Sequence, residues 1–102
     1  MSYFLYKFVP RPDFRTTMTE TEAATMREHV SYWQALADRG TAIAFGPVAD
    51  PAGDWGVAIL EADALQDARA LAAADPVVIA ELGPVDIYPM HNAITRRWRP
   101  GP

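Results

Sequence analysis

Three strand-like segments of this chain are apolar at consecutive positions rather than at alternate ones. Phe4, Leu5, Tyr6, Phe8 and Val9 make the first; Ala42, Ile43, Ala44 and Phe45 the second; Val57, Ala58, Ile59 and Leu60 the third. Side chains along a strand point alternately to the two faces of its sheet. An antiparallel sheet with one wet face therefore alternates apolar and polar residues. These segments instead predict a sheet covered on both faces, because exposed apolar faces of that size are usually interfaces. A chain of 102 residues is one domain of ordinary size, with helices enough for one face. A second copy of the same sheet is the simplest cover for the other, which predicts a homodimer.

The order of elements can be read from punctuation. Residues 2–9 are rich in aromatic and β-branched side chains and stop at Pro10, so they read as a strand. Residues 11–18 read as a loop. Thr19, with Glu22 three positions on, has the form of a capping box. The helix it opens runs to Gly40, a natural residue just past a helix end. Residues 41–48 read as a second strand, bent near its end by Gly46-Pro47. The short stretch 49–54 then leads into Trp55–Ala62, as in an antiparallel hairpin. Asp63 is expected to cap a second helix over 64–74. Asp75-Pro76 breaks that helix, because the residue before proline avoids the α region. Asp75 then serves as N-cap of one more turn over 76–82, with Pro76 at N1. Gly83 ends the turn, and Val85–Met90 is the last strand. The order β-α-β-β-α-β is the split βαβ arrangement of an α+β, ferredoxin-like sandwich. The domain is expected to span residues 1–91, with 92–102 as a C-terminal tail.

Composition excludes several kinds of chemistry. With no cysteine, disulfides, thiolate metal sites and thiol nucleophiles are ruled out. Two histidines, His29 and His91, are too few for a histidine-rich metal site. The net charge of −4 argues against a nucleic-acid partner. No apolar run approaches the roughly 20 residues of a membrane span, and the N-terminus runs straight into a strand rather than a signal peptide. A cytoplasmic protein with no membrane association is expected.

His29 is the residue that most invites a functional reading. It lies three positions after Met26 and four before Trp33, on the helix stripe that also carries Val30, Leu36 and Ala37. Arg27, Ser31, Gln34 and Asp38 mark the opposite face. A half-buried imidazole is either held by a structural hydrogen bond or poised for proton transfer. Asp75 continues the stripe Ala68, Leu71, Ala72 of the second helix. A carboxylate aimed at the core needs a partner, and the imidazole of the neighbouring helix is one. Capping and binding histidine are compatible tasks for two carboxylate oxygens. Gly46-Pro47 reads as a strand bend, though a glycine there also lets a ligand approach the backbone. Tyr6, Tyr88 and Thr41 either line a pocket or pack. Arg11 is a solvated loop residue or a contact for an anionic substrate, and His91 reads as surface. Ser31 points away from His29, so no serine–histidine dyad is expected.

The Glu28-His29 helix, Phe45-Gly46-Pro47, Ala72-Ala73-Ala74-Asp75-Pro76-Val77-Val78 and Val85-Asp86-Ile87-Tyr88-Pro89-Met90 together resemble the YciI-like, or YCII-related, proteins of the dimeric α/β-barrel group. The resemblance covers residues 3–90. It implies a ferredoxin-like fold, dimerisation through the sheets and a pocket holding a His-Asp pair. One relative removes chloride from a chlorinated hydroxyhydroquinone, and more distant barrel relatives act on lactones, polyketides or quinols.

The leading expectation is a small enzyme without metal or organic cofactor. Its candidate catalytic residues are His29 and Asp75, and its candidate substrate-binding residues are Gly46, Pro47, Tyr6 and Tyr88. The chemistry would be proton transfer or elimination on a small cyclic or aromatic substrate. The alternative is a non-catalytic dimer that binds a small molecule or a protein. A third reading, a haem-handling barrel with His29 or His91 as axial ligand, would declare itself by its absorption spectrum. The Arg96-Arg97-Trp98-Arg99 run is expected to bridge to the dimer partner rather than to bind nucleic acid.

Overall fold

A computed structural model of the chain describes residues 1–96. Eight elements follow one another: β1 (Ser2–Phe8), α1 (Phe14–Thr17), α2 (Glu20–Asp38), β2 (Ala42–Val48), β3 (Trp55–Ala62), α3 (Leu65–Ala73), α4 (Pro76–Ile79) and β4 (Val85–Met90). The strands form one antiparallel sheet in the order β2-β3-β1-β4. Each βαβ unit is thus split by a strand of the other, which is the ferredoxin-like arrangement. The basic run expected to bridge to a partner falls, from Arg97 onward, outside the described residues.

The predicted start of α2 is present in full. Thr19 accepts from the Glu22 backbone N–H at 3.1 Å, and the Glu22 carboxylate accepts from the Thr19 N–H at 2.9 Å. At its other end Gly40 takes φ +81°, a left-handed conformation that glycine adopts without a side-chain penalty. Two local readings fail. Residues 11–18 contain the short helix α1, whose first residue, Phe14, is buried. Asp63 does not cap α3; Ala64 occupies the N-cap position and no side chain bonds there.

Cross-strand register separates the two faces of the sheet. Phe4, Tyr6 and Phe8 of β1 join Ala58, Leu60 and Ala62 of β3 under the helices. Trp33 and Leu36 of α2, Ala68 and Ala72 of α3 and Val77 of α4 close the core from above. Val30, expected on the inward stripe, is 51% exposed. The other face carries Tyr3, Leu5, Val57, Ile59, Tyr88 and Met90, but also Lys7, Glu61 and Asp86. It is therefore apolar in the main rather than throughout. Lys7 sits opposite Asp86 and has its ammonium 4.9 Å from the Trp55 ring centre.

Where β4 begins, Gly83 lets two backbones touch. A Cβ at that position would lie 2.3 Å from the Val9 carbonyl oxygen. The Val9 N–H donates to the Pro84 carbonyl at 3.0 Å, which ties the end of β1 to the turn before β4.

Candidate active site

The break between α3 and α4 places a carboxylate in the middle of the protein. Pro76 cannot continue α3, so the chain turns at Asp75 and restarts with Pro76 at N1. Asp75 Oδ1 then accepts from the Val77 N–H at 3.1 Å, as an N-cap should. The same side chain is 0% exposed, the one buried acidic side chain among the described residues.

Three side chains converge on it. His29 Nδ1 lies 2.8 Å from Oδ1 and 3.1 Å from Oδ2. The Tyr6 hydroxyl donates to Oδ2 at 2.6 Å and the Trp33 indole N–H donates to Oδ2 at 2.7 Å. His29 and Trp33 are one turn apart on α2, which explains why both reach the same group. Tyr6 rises to it from β1, in the middle of the sheet. Burial pushes the Asp75 carboxyl upward, but the hydrogen bonds from His29, Tyr6 and Trp33 outweigh it and hold the group below its ordinary value. Burial, then the bond to Asp75, pushes the Tyr6 phenol far above its ordinary value. The site thus contains a carboxylate and a neutral phenol.

A carboxylate has no proton to give, so Nδ1 of His29 carries the shared hydrogen. The neutral imidazole then keeps its lone pair on Nε2. Among the described residues, Nε2 has no hydrogen-bond partner, and His29 lines a pocket of about 690 Å³. Phe8, Phe14, Met26, Phe45 and Val30 supply apolar wall, and the Phe8 ring centre is 6.0 Å from that of His29. Residues of the segment before α2 and of the β2–β3 loop complete the lining.

Gly46, Pro47 and Tyr6 line this pocket together with His29. A Cβ at Gly46 would meet nothing within 4 Å. Tyr88 is not among the lining residues. It is paired with Leu5 on the opposite face of the sheet and is 49% exposed. Thr41 also lies elsewhere, its carbonyl accepting from Glu61. Arg11 is not a freely solvated loop residue. It grips Glu22 with two bonds of 2.7 and 3.0 Å and also donates to the Thr17 carbonyl at 3.0 Å. That bond lowers the Glu22 carboxyl to about 2. Among the described residues, no three His, Asp or Glu side chains gather as a metal site would require.

Sequence reasoning put Trp33 in the core and Tyr6 on a pocket wall without giving either a hydrogen bond. The available signal was chemical. A buried indole N–H and a buried phenol both require acceptors, and Asp75 was already the predicted inward-facing carboxylate.

A family model for the YCII-related domain matches residues 1–91. No curated protein sequence matches the chain. Among solved structures, the chain is similar to the 5-chloro-2-hydroxyhydroquinone dehydrochlorinase of Burkholderia phenoliruptrix AC1100 in complex with 2,5-dihydroxybenzoquinone. The TM-score is 0.60 at 20% identity, over 97% of this chain and 95% of that one. At that identity the likeness is one of fold.

Proposed function

The chain belongs to the YCII-related domain family, and from that premise we propose that it is a cofactor-independent enzyme in which His29 moves a proton on a small cyclic or aromatic substrate. The observation that carries this reading is the buried Asp75 carboxylate bonded to Nδ1 of a histidine that lines the pocket, with Nε2 without a hydrogen-bond partner among the described residues. Nε2 takes a proton from an acidic C–H or O–H of the bound ring. The imidazolium so formed is stabilised by Asp75, which holds the ring in place and is a positioning residue. The proton is then returned to another atom of the substrate, giving isomerisation. Alternatively it is lost to water as an anionic group leaves, giving elimination. Positioned acid–base catalysis of this kind typically contributes ~10²–10⁴-fold. The pocket's aromatic and aliphatic walls suit a flat, largely apolar ring, and Gly46 and Pro47 border the space it would fill.

The working unit proposed is a homodimer joined through the open sheet face. Leu5, Ile59 and Tyr88 are neighbours there and leave a continuous apolar strip. Lys7, Glu61 and Asp86 on the same face would supply register through paired charges.

The first compounds to test are those of the structural neighbour. Chloride release from 5-chloro-2-hydroxyhydroquinone and binding of 2,5-dihydroxybenzoquinone are measured for the wild-type protein and for His29→Ala. Binding or turnover that depends on His29 supports the proposal. Turnover that His29→Ala leaves unchanged rejects His29 as the working group.

A further inference from the structure

Proton transfer by His29 makes no direct use of two donors on Asp75. The Tyr6 hydroxyl and the Trp33 indole N–H both end on Oδ2, at 2.6 and 2.7 Å, and both side chains are buried. Their rings meet edge-on with centres 4.7 Å apart, so neither can swing away without disturbing the other. We infer that Tyr6 and Trp33 are positioning residues that set the base strength of His29 through the carboxylate all three share. The inference rests on the reading of His29 as the base, but its test needs no turnover.

The argument is one of shared charge. Asp75 carries a single negative charge and offers it to four donors: His29 Nδ1, Tyr6, Trp33 and the Val77 N–H. Each donor draws electron density toward itself. Density held by Tyr6 and Trp33 is unavailable to stabilise a positive imidazole. Nδ1 lies within reach of both oxygens, so a donor on Oδ2 is felt directly. Removing one such donor concentrates charge on the remaining bonds and favours the imidazolium. The same donors keep Asp75 ionised, so it holds the Nδ1 proton without taking it.

Other titratable groups face His29 across the pocket. They are Arg11, Asp13 and Arg15 on the segment before α2 and Asp54 on the β2–β3 loop. Arg11 is bound to Glu22, and Arg15 lies 3.5 Å from Asp54. On the core side stand Asp75 and Tyr6 alone, since the Tyr32 hydroxyl is turned to the Leu71 carbonyl. Tyr6 and Trp33 line the same pocket but make no hydrogen bond or ion pair to the pocket-side charged groups, so a change in His29 reports the carboxylate.

The experiment is an NMR titration of the His29 ring in the wild type, Tyr6→Phe and Trp33→Phe, with the exposed His91 as internal reference. Each variant is expected to raise the His29 midpoint by about half a unit or more while His91 stays in place. The acid limb of any pH–rate profile should move in the same direction. Incorporation of 3-fluorotyrosine supplies the opposite perturbation in an intact core. It makes the phenol a stronger donor and should lower the His29 midpoint. A purely structural role for Tyr6 and Trp33 would change the melting temperature and leave the midpoint alone. The inference is overturned if the folded variants, or the fluorotyrosine protein where a variant does not fold, titrate within about 0.2 unit of the wild type. A shifted midpoint combined with turnover indifferent to His29→Ala upholds the coupling and removes the catalytic reading. An unmoved midpoint with His29-dependent turnover does the reverse.

Discussion

The Tyr6 hydroxyl meets Asp75 Oδ2 at 2.6 Å across 69 positions of sequence. That contact joins β1, one of the two inner strands of the sheet, to the break between α3 and α4. It makes Asp75 the acceptor on which helix, strand and turn all depend.

Asp75→Ala is therefore expected to be severe. It leaves the Tyr6 phenol, the Trp33 indole and the Val77 N–H buried without an acceptor, and α4 without its cap. The loss should be about 3–5 kcal/mol. Urea unfolding of the variant measures it. A loss no larger than that of an ordinary surface change would contradict the central role given to this carboxylate.

His29→Ala should behave differently. Its side chain borders the pocket, and Oδ1 keeps its bond from Val77. Water entering from the pocket can replace Nδ1, so the stability cost should stay below about 1 kcal/mol. Activity or ligand binding should be the property that fails. Paired melting curves and binding isotherms separate the two effects; a large stability loss with binding intact would mark a structural histidine.

The carboxylates set the acid limit. Asp75 and Glu22 both have folded values below their ordinary ones of 3.8 and 4.5. A lowered folded value means that the unfolded chain binds protons more readily. The stability these groups contribute is thus complete above the ordinary values and is lost as pH falls through the folded ones. For Glu22, bonded to Arg11, the window runs from 4.5 down to about 2. Its share is small, because the pair is exposed and screened. The share of Asp75 goes below pH 3.8. Urea midpoints should fall through this range, and Arg11→Ala should flatten the fall near pH 4.

Tyr6 sets an alkaline limit by the same linkage with the opposite sign. Burial and the bond to Asp75 raise its folded value above the ordinary 10.0. Its stabilisation is complete below pH 10 and is lost as pH rises beyond that, when the unfolded phenol ionises first. Tyr6→Phe should be less stable at neutral pH yet lose less on going from pH 9 to pH 11. An equal loss in both proteins would place the alkaline transition elsewhere.

Leu5→Glu is the test of the proposed assembly. Leu5 sits between Ile59 and Tyr88 on the open face. Light scattering should give a dimer for the wild type and a monomer for the variant at micromolar concentration. A stable wild-type monomer would remove the dimer. The pocket on the helix side should be unaffected, since Leu5 points away from it.

What sequence alone decided was local and periodic. Thr19 and Glu22 announced the start of α2 because a capping box is made within four residues. Asp75-Pro76 announced the break before α4 for a similar reason, since proline's constraint acts on its own neighbours. The element order followed, and with it the ferredoxin-like topology. The meeting of His29 with Asp75 was also legible, because each lay on the inward stripe of its helix and both helices cover one face of the sheet. Periodicity was less reliable at the edges. Val30 follows the apolar stripe in sequence but lines the pocket and is 51% exposed.

Tertiary structure decided everything that depends on long-range register. Tyr6 and Tyr88 are equally plausible pocket residues in a list of strand positions. Strand side chains alternate between faces, so one residue of register sends one tyrosine to Asp75 and the other to the opposite side of the sheet. The loop before α2 likewise carries a short helix whose Phe14 is buried at the pocket wall, which no local pattern announced. Of the four donors on the carboxylate, only the capping Val77 N–H has a local signature. The others come from α2 and β1, and only packing makes the four one group.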